Sequence, residues 1–549
     1  MVKGVGIMKP ATKAFVNGKI YTMDGSICEA VAFKKDIILK VGTKDEVMKV
    51  TDNSTQIINM EGKTMLPGFI DTHTHLVGYG ISLTTVDLEG ARSIGEVVDR
   101  CKKFINTNDL KEGQWLIGRG WNQNQFVDDN RFPDRHDLDK VSLKHPVLLL
   151  RVCGHIGSVN SMALEEVGVS SETFIAGGSF DHDEEGTPNG IIREASLEWF
   201  KKNRCLTDDH EYIRKGILEG AAELLKYGVT TVHTEDSYDL GYSGDFKHIA
   251  DTYRQMAANQ ELPIRIYQKI SLPKREDIEL FLNGDLRTGQ GDHYYKIGPM
   301  KQWCDGTIGA RTAALREPYT DDPDNYGILV YEGDELYHNV KMAHDSGMQV
   351  CLHAIGDAAL EMVIEAYERV QNENPKASRH RIVHCQVGDR KLYERLQPLN
   401  VSLNIQTAQT ASDWPMMKSR LGDEREKDSH NWRTLTDLGI CLTGGSDIPV
   451  EGPDVLYGVY AAVTRKDLKG KPESGWLPEQ KLTVEEAFKT YTINAAYSSY
   501  DEDVKGSITE GKLADVVLLD RDPFEVEVQD LINIEVCMTV VGGDIKWTK

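Results

Sequence analysis

The sequence predicts an α/β fold: a (β/α)8 (TIM) barrel with a long insertion after its first strand, plus a small β-sandwich built from both ends of the chain. Three observations predict it. Strand-length apolar runs recur through the middle of the 549 residues, and several are followed by helical patterns such as 357–370 and 484–491, the alternation that produces parallel barrels. Eight such runs are present, the number a barrel needs: 65–75, 228–233, 263–270, 297–305, 348–353, 381–384, 401–405 and 440–447. Both ends of the chain, by contrast, are written in short β-rich segments joined by turns.

At the N-terminal end the β-rich runs are 14–16, 19–22, 30–33 and 37–41, separated by turns such as Asn17-Gly18. The same pattern resumes in 514–519 and 532–541, closed by Gly542-Gly543. Residues 1–65 and 501–549 are therefore expected to complete one sandwich, with the barrel, 66–500, inserted between them. The stretch 80–227 does not fit the βα rhythm and is expected to form an inserted lid subdomain. Its polar and aromatic groups, among them Trp115, Trp121, Asn122 and His155, suit the shaping of a pocket, with ordinary packing the alternative for each.

Composition narrows the partners. With 63 basic against 86 acidic side chains the formal charge is −23, which favours solubility and argues against nucleic acid or anionic membrane surfaces. The nine cysteines show no CxxC spacing, so neither a ribbon-type zinc site nor a disulfide framework is indicated, and a reducing cytoplasm fits best. The first ten residues carry no apolar leader core, and no apolar run approaches the roughly 20 residues of a membrane span. A cytoplasmic protein acting on a small-molecule substrate is expected, and a homodimer is the assembly that general precedent favours.

The sharpest local signal is Leu66-Pro67-Gly68-Phe69-Ile70-Asp71-Thr72-His73-Thr74-His75. Residues two apart on a strand point to the same side, so His73 and His75 present two imidazoles at the strand's C-terminal end, where barrel active sites sit. Alone this pair is weak, because strand histidines are often satisfied by ordinary hydrogen bonds. Three further strand candidates end in ligand-type residues, His353, His384 and Asp447. Convergence of these nitrogen and oxygen donors at a barrel mouth suits zinc, iron, nickel or manganese, with zinc the default.

The segment Pro67 to His75 resembles the signature of the amidohydrolase superfamily. Three further stretches, 301–313 with Asp305-Gly306-Thr307, His353-Ala354-Ile355-Gly356-Asp357, and Gly445-Ser446-Asp447-Ile448-Pro449-Val450, resemble the branch containing N-substituted formamide deformylase-like enzymes. The resemblance covers nearly the whole chain and implies one or two divalent metals per chain. It implies His73, His75 and Asp447 on a more buried metal, His353 and His384 on a more exposed one, and Lys301 as a lysine carboxylated by carbon dioxide that bridges them.

Lys301 also reads as a substrate-facing ammonium or as a core lysine paired with Asp305, and Glu194 is a competing ligand or a helix-surface carboxylate near Arg193. His233, closing the second strand, and His182, in the acidic run 181–185, stay outside the ligand set. Trp121, His155, Trp303, Asp305 and Arg311 are the candidate substrate contacts, with packing the alternative for the tryptophans. The chemistry implied is hydrolysis of an amide-like, N-acyl or N-formyl bond: a divalent metal lowers the pKa of bound water from nearly 16 to roughly 7. Asp447 is the general acid/base that takes the water proton and passes it to the leaving amine. The rivals are a mononuclear deaminase, an ester or lactone hydrolase, and a non-catalytic scaffold of the same fold.

Overall fold

The structure is a computed structural model that describes residues 10–127, 129–152, 155–203, 209–237 and 246–549. The N-terminal segment 1–9, read above for a leader, lies outside the described residues, as do Cys153 and Cys205.

Eight parallel strands form the central sheet: Phe69–Thr74, Val229–Thr234, Arg265–Ser271, Tyr295–Trp303, Val350–Ala354, Arg381–His384, Ser402–Ile405 and Cys441–Gly444, each hydrogen-bonded to its neighbour in sequence. The sheet closes on itself just beyond the last strand. There Thr74 bridges Ile448 in parallel, the His75 N–H donates to the Ile448 carbonyl at 3.0 Å and the Asp447 N–H donates to the His73 carbonyl at 2.8 Å. Each of the eight runs read from the sequence overlaps one of these strands. The first run splits, however: Thr64–Pro67 pairs within the sandwich, and only Phe69–Thr74 belongs to the barrel. Gly68 makes the break, since a Cβ there would lie 2.4 Å from the Thr230 side chain.

Helices cover the outside of the sheet. In Asp357–Glu373 the buried Leu360, Val363, Ile364, Tyr367 and Val370 follow the three-and-four spacing of a helix with one apolar face. The chain ends build two sheets, one of Lys13–Val16, Ala30–Lys34, Ile37–Gly42 and Gln56–Asn59, the other of Lys19–Tyr21, Ile27–Cys28, Thr64–Pro67, Val516–Leu519, Val536–Val541 and Asp544–Thr548. Antiparallel pairing of Thr64–Pro67 with Val516–Leu519 joins the two ends of the chain. Between the sheets lies a core that includes Phe15, Ile20, Phe33, Met65, Val516 and Val540.

Residues Tyr79–Glu219 form a compact unit with its own six-stranded mixed sheet. Its strands are Val86–Asp87, Leu116–Trp121, Val147–Arg151, Ile156–Val159, Gly178–His182 and Pro188–Glu194. The helix Ile94–Thr107 buries Ile94, Val97, Val98 and Cys101 within this unit.

Candidate metal centre

The strand ends bring His73, His384 and Asp447 together, each offering one ligand atom, with all three atoms within 4.8 Å of one another. The Asp447 Oδ1 lies 3.3 Å from His73 Nε2 and 3.3 Å from His75 Nε2, so the two first-strand histidines face the same oxygen. The His73 ring centroid is 5.3 Å from that of His75 and 5.6 Å from that of His384.

This constellation is held from behind. Asp71, buried beneath His73, accepts the His73 N–H at 3.2 Å and the Ser446 N–H at 3.1 Å, tying the first strand to the turn that carries Asp447. Burial pushes the Asp71 carboxyl up to about 6. Gly445 has to be glycine, because a Cβ there would meet the His73 backbone nitrogen at 2.8 Å. Asp447 and His384 both occupy the left-handed region, at φ 61° and 75°, an uncommon conformation for residues with side chains that persists only where the surroundings enforce it.

His384 Nδ1 lies 2.8 Å from the Gln406 amide oxygen, just past the seventh strand. With Nδ1–H donating to that oxygen, Nε2 keeps its lone pair for a ligand. Burial, reinforced by nearby lysines and imidazoles, holds His73 and His384 well below the usual histidine range, so both are neutral, as metal ligation requires. Lys301, on the fourth strand, is fully buried, and its Nζ has no hydrogen-bond partner, lying 5.3 Å from the Trp303 ring centre. Burial pushes this amine down as well. An orphaned buried amine beside neutral imidazoles and a carboxylate is a costly arrangement for an empty protein interior, and the donor set fits a divalent cation.

His353 is next to His384, ring centroids 4.5 Å apart, but its Nε2 turns to the Gly306 carbonyl at 3.1 Å and to Asp305 Oδ1 at 3.4 Å. His384 thus lies within reach of both groups, beside His353 and in one cluster with His73 and Asp447. Asp305 is not hydrogen-bonded to Lys301. Its carboxylate accepts the backbone N–H groups of Ala314, Ile355 and Gly356 at 2.9, 3.0 and 2.8 Å, which makes it the organiser of two loops.

Arg311 is likewise committed elsewhere, its guanidinium forming two 3.0 Å bonds to Asp321. Trp303 ends the fourth strand, half-buried. Trp121 is fully buried in the core of the inserted unit with Nε1 donating to the Leu149 carbonyl at 3.0 Å, the packed position given above as the alternative for it.

His155 and Glu194, both exposed, pair with each other in that unit at 3.1 Å. Glu194 ends a strand and not a helix, and Arg193 is taken by Asp181 at 2.6 Å. His182 also ends a strand, exposed. His233 is buried with neither ring nitrogen hydrogen-bonded.

The model of the amidohydrolase family matches residues 56–545. The chain belongs to the amidohydrolase family. It is 35% identical over 537 residues to amidohydrolase YtcJ of Bacillus subtilis (strain 168), covering 97% of this chain and 98% of that protein. It is 25% identical over 547 residues to the N-substituted formamide deformylase of Arthrobacter pascens, covering 97% and 98%. Among solved structures it resembles an uncharacterized metal-dependent hydrolase from Pyrococcus furiosus, with a TM-score of 0.76 and 28% identity over 93% of this chain and all of that one. This amidohydrolase is a metal-dependent hydrolase.

Sequence reasoning passes over three residues that touch the candidate ligands of this amidohydrolase. Lys269, fully buried on the third strand, is hydrogen-bonded to His73 Nδ1, and burial pushes its amine down to about 7. Glu235, just past the second strand, has Oε2 3.6 Å from His75 Nδ1. Gln406 orients His384 as described. A signal for Lys269 is present in the sequence: Arg265, Tyr267 and Lys269 alternate along one face of a fully buried strand, a polar row facing away from Ile266 and Ile270.

Proposed function

We propose that this chain hydrolyses a carbon–nitrogen bond, amide-like and of the N-formyl or N-acyl type, in a small molecule, with zinc the first candidate metal. The observation that carries this reading is the buried His73–His384–Asp447 cluster at the C-terminal end of the barrel. The name of the deformylase relative, N-substituted formamide deformylase, supports the choice of bond.

In this reading His73, His75, His384 and Asp447 would hold the cation, and His353 would join them if its ring turned from the Gly306 carbonyl. Lys301, carboxylated on its unpartnered Nζ by carbon dioxide with release of a proton, would add an anionic oxygen donor to the set. The bound cation supplies Lewis acidity toward the substrate carbonyl and lowers the pKa of water. Asp447 accepts the proton of the attacking water at Oδ1 and delivers it to the leaving nitrogen, a general acid/base task worth about 10²- to 10⁴-fold. Gln406 keeps the His384 ring in the tautomer with Nε2 free.

A mononuclear deaminase is the second reading, favoured by the single three-residue cluster found among the described residues. The deciding experiment is a hydrolysis panel of N-formyl amines, N-acyl amines, esters and aminated heterocycles on metal-reconstituted protein, with release of formate, amine and ammonia followed separately. Amine release from the first two classes supports the proposal, whereas ammonia release from heterocycles alone supports the deaminase.

A further inference from the structure

His384 leaves its strand into a turn in which it and Cys385 both have positive φ, 75° and 47°. Two consecutive left-handed residues bearing side chains need external restraint. One side of the turn is held by the fifth strand: the Cys385 N–H donates to the Ala354 carbonyl at 3.0 Å and the Val387 N–H to the Ile355 carbonyl at 2.9 Å. The other side is held by the segment before the eighth strand, where the His430 N–H donates to the Gln386 carbonyl at 2.8 Å and the Gly388 N–H to the Asp428 carbonyl at 2.9 Å.

A buried carboxylate joins these restraints. Asp413, on the helix Gln409–Arg425, is 4% exposed and accepts from Gln386 Nε2 and, at 3.0 Å, from His430 Nε2. His430 is fixed in turn by Arg465, whose Nη1 donates to its carbonyl at 3.1 Å, and the Arg465 guanidinium is buried 4.5 Å from the Trp432 ring centre and 5.1 Å from that of Trp476. The chain of contacts runs from a packed cation to the residue two positions beyond His384. A buried carboxylate costs stability unless its donors are in place, so removing it releases both Gln386 and His430 at once.

We infer that Asp413 is a positioning residue: by holding Gln386 and His430 it fixes the His384–Cys385 turn and so aims the His384 imidazole at His73 and Asp447. The inference rests on the reading of His384 as a metal ligand.

The test titrates metal-free full-length protein with Zn²⁺ in competition with a chromophoric chelator, alongside thermal unfolding of the same samples. Asp413→Asn and the gentler Gln386→Met are expected to lower Zn²⁺ affinity about tenfold or more, in the range measured for groups that orient ligands. The control Asp515→Asn breaks a buried ion pair remote from the turn and is expected to lower Tm with affinity unchanged. Wild-type affinity in Gln386→Met and Asp413→Asn, with only Tm lowered as in the control, overturns the inference and makes the network structural. Absence of Zn²⁺ binding by the wild type overturns the metal reading itself, and with it this inference.

Discussion

Asp447 Oδ1 lies equally far, 3.3 Å, from the ring nitrogens of His73 and His75, and its backbone is held at φ 61° by the Asp71–Ser446 link behind it. Asp447→Asn preserves shape and removes the anionic oxygen, so kcat on the best N-formyl or N-acyl substrate is expected to fall at least 10²-fold with the fold intact by circular dichroism. Gly445→Ala drives a methyl group against the His73 backbone and is expected to lower activity and metal content together, read by elemental analysis. The first-strand histidines were legible because a period of two fixes which side chains share a face. The surroundings of Trp121, Asp305 and Arg311 were not, since residue type does not tell whether an indole meets solvent, whether a carboxylate accepts from backbone N–H groups, or whether a guanidinium has an acidic neighbour ten residues away. Lys269 went unread because its strand carries Arg265, Gln268 and Ser271 as well, and which of these polar side chains faces the site depends on the barrel's closure.

At the level of elements, a buried histidine pair packs beside the fifth and sixth strands. His380 Nδ1 accepts the Val350 N–H at 3.0 Å, its Nε2 faces His344 Nδ1 at 2.9 Å, and His344 Nε2 donates to the Asn374 carbonyl at 2.7 Å. Burial, with His344 and Lys376 nearby, pushes His380 down to about 3 from 6.5. Between those values the unfolded chain binds a proton that the folded chain refuses, so this contribution is fully present above about pH 6.5 and is lost as pH falls. The loss is about 1.4 kcal/mol per pH unit for one proton. His380→Asn is therefore expected to cost less at pH 5 than at pH 8, by about 2 kcal/mol in urea unfolding of the two proteins. The eight barrel strands were legible as apolar runs bounded by turns. The sheet of residues 79–219 was not, because it mixes parallel and antiparallel partners and several of its strands are only partly buried.

Across the whole chain, the C-terminal end meets the barrel at a buried ion pair: Arg265 of the third strand donates to Asp515 at 2.6 and 2.8 Å, and Asp515 is held below the usual carboxylate range despite its burial, through Arg265. Removing one partner leaves an uncompensated buried charge, so Asp515→Asn is expected to cost about 3–5 kcal/mol in urea unfolding. No helix among the described residues is long and apolar enough to cross a membrane. The split of the sandwich between both termini was readable because each end keeps the same short-strand pattern, while their pairing through Thr64–Pro67 and Val516–Leu519 depends on contacts far apart in sequence.

The central claim is that the strand-end donors and Lys301 form one catalytic metal centre, and elemental analysis of purified wild type, His73→Ala and Lys301→Ala beside hydrolysis assays tests it most directly. One to two divalent metals per chain are expected in the wild type, with loss of both metal and activity in the two variants. Metal content and hydrolysis unchanged in His73→Ala, or a wild type that binds no divalent metal and is no more active when supplied with one, would contradict it.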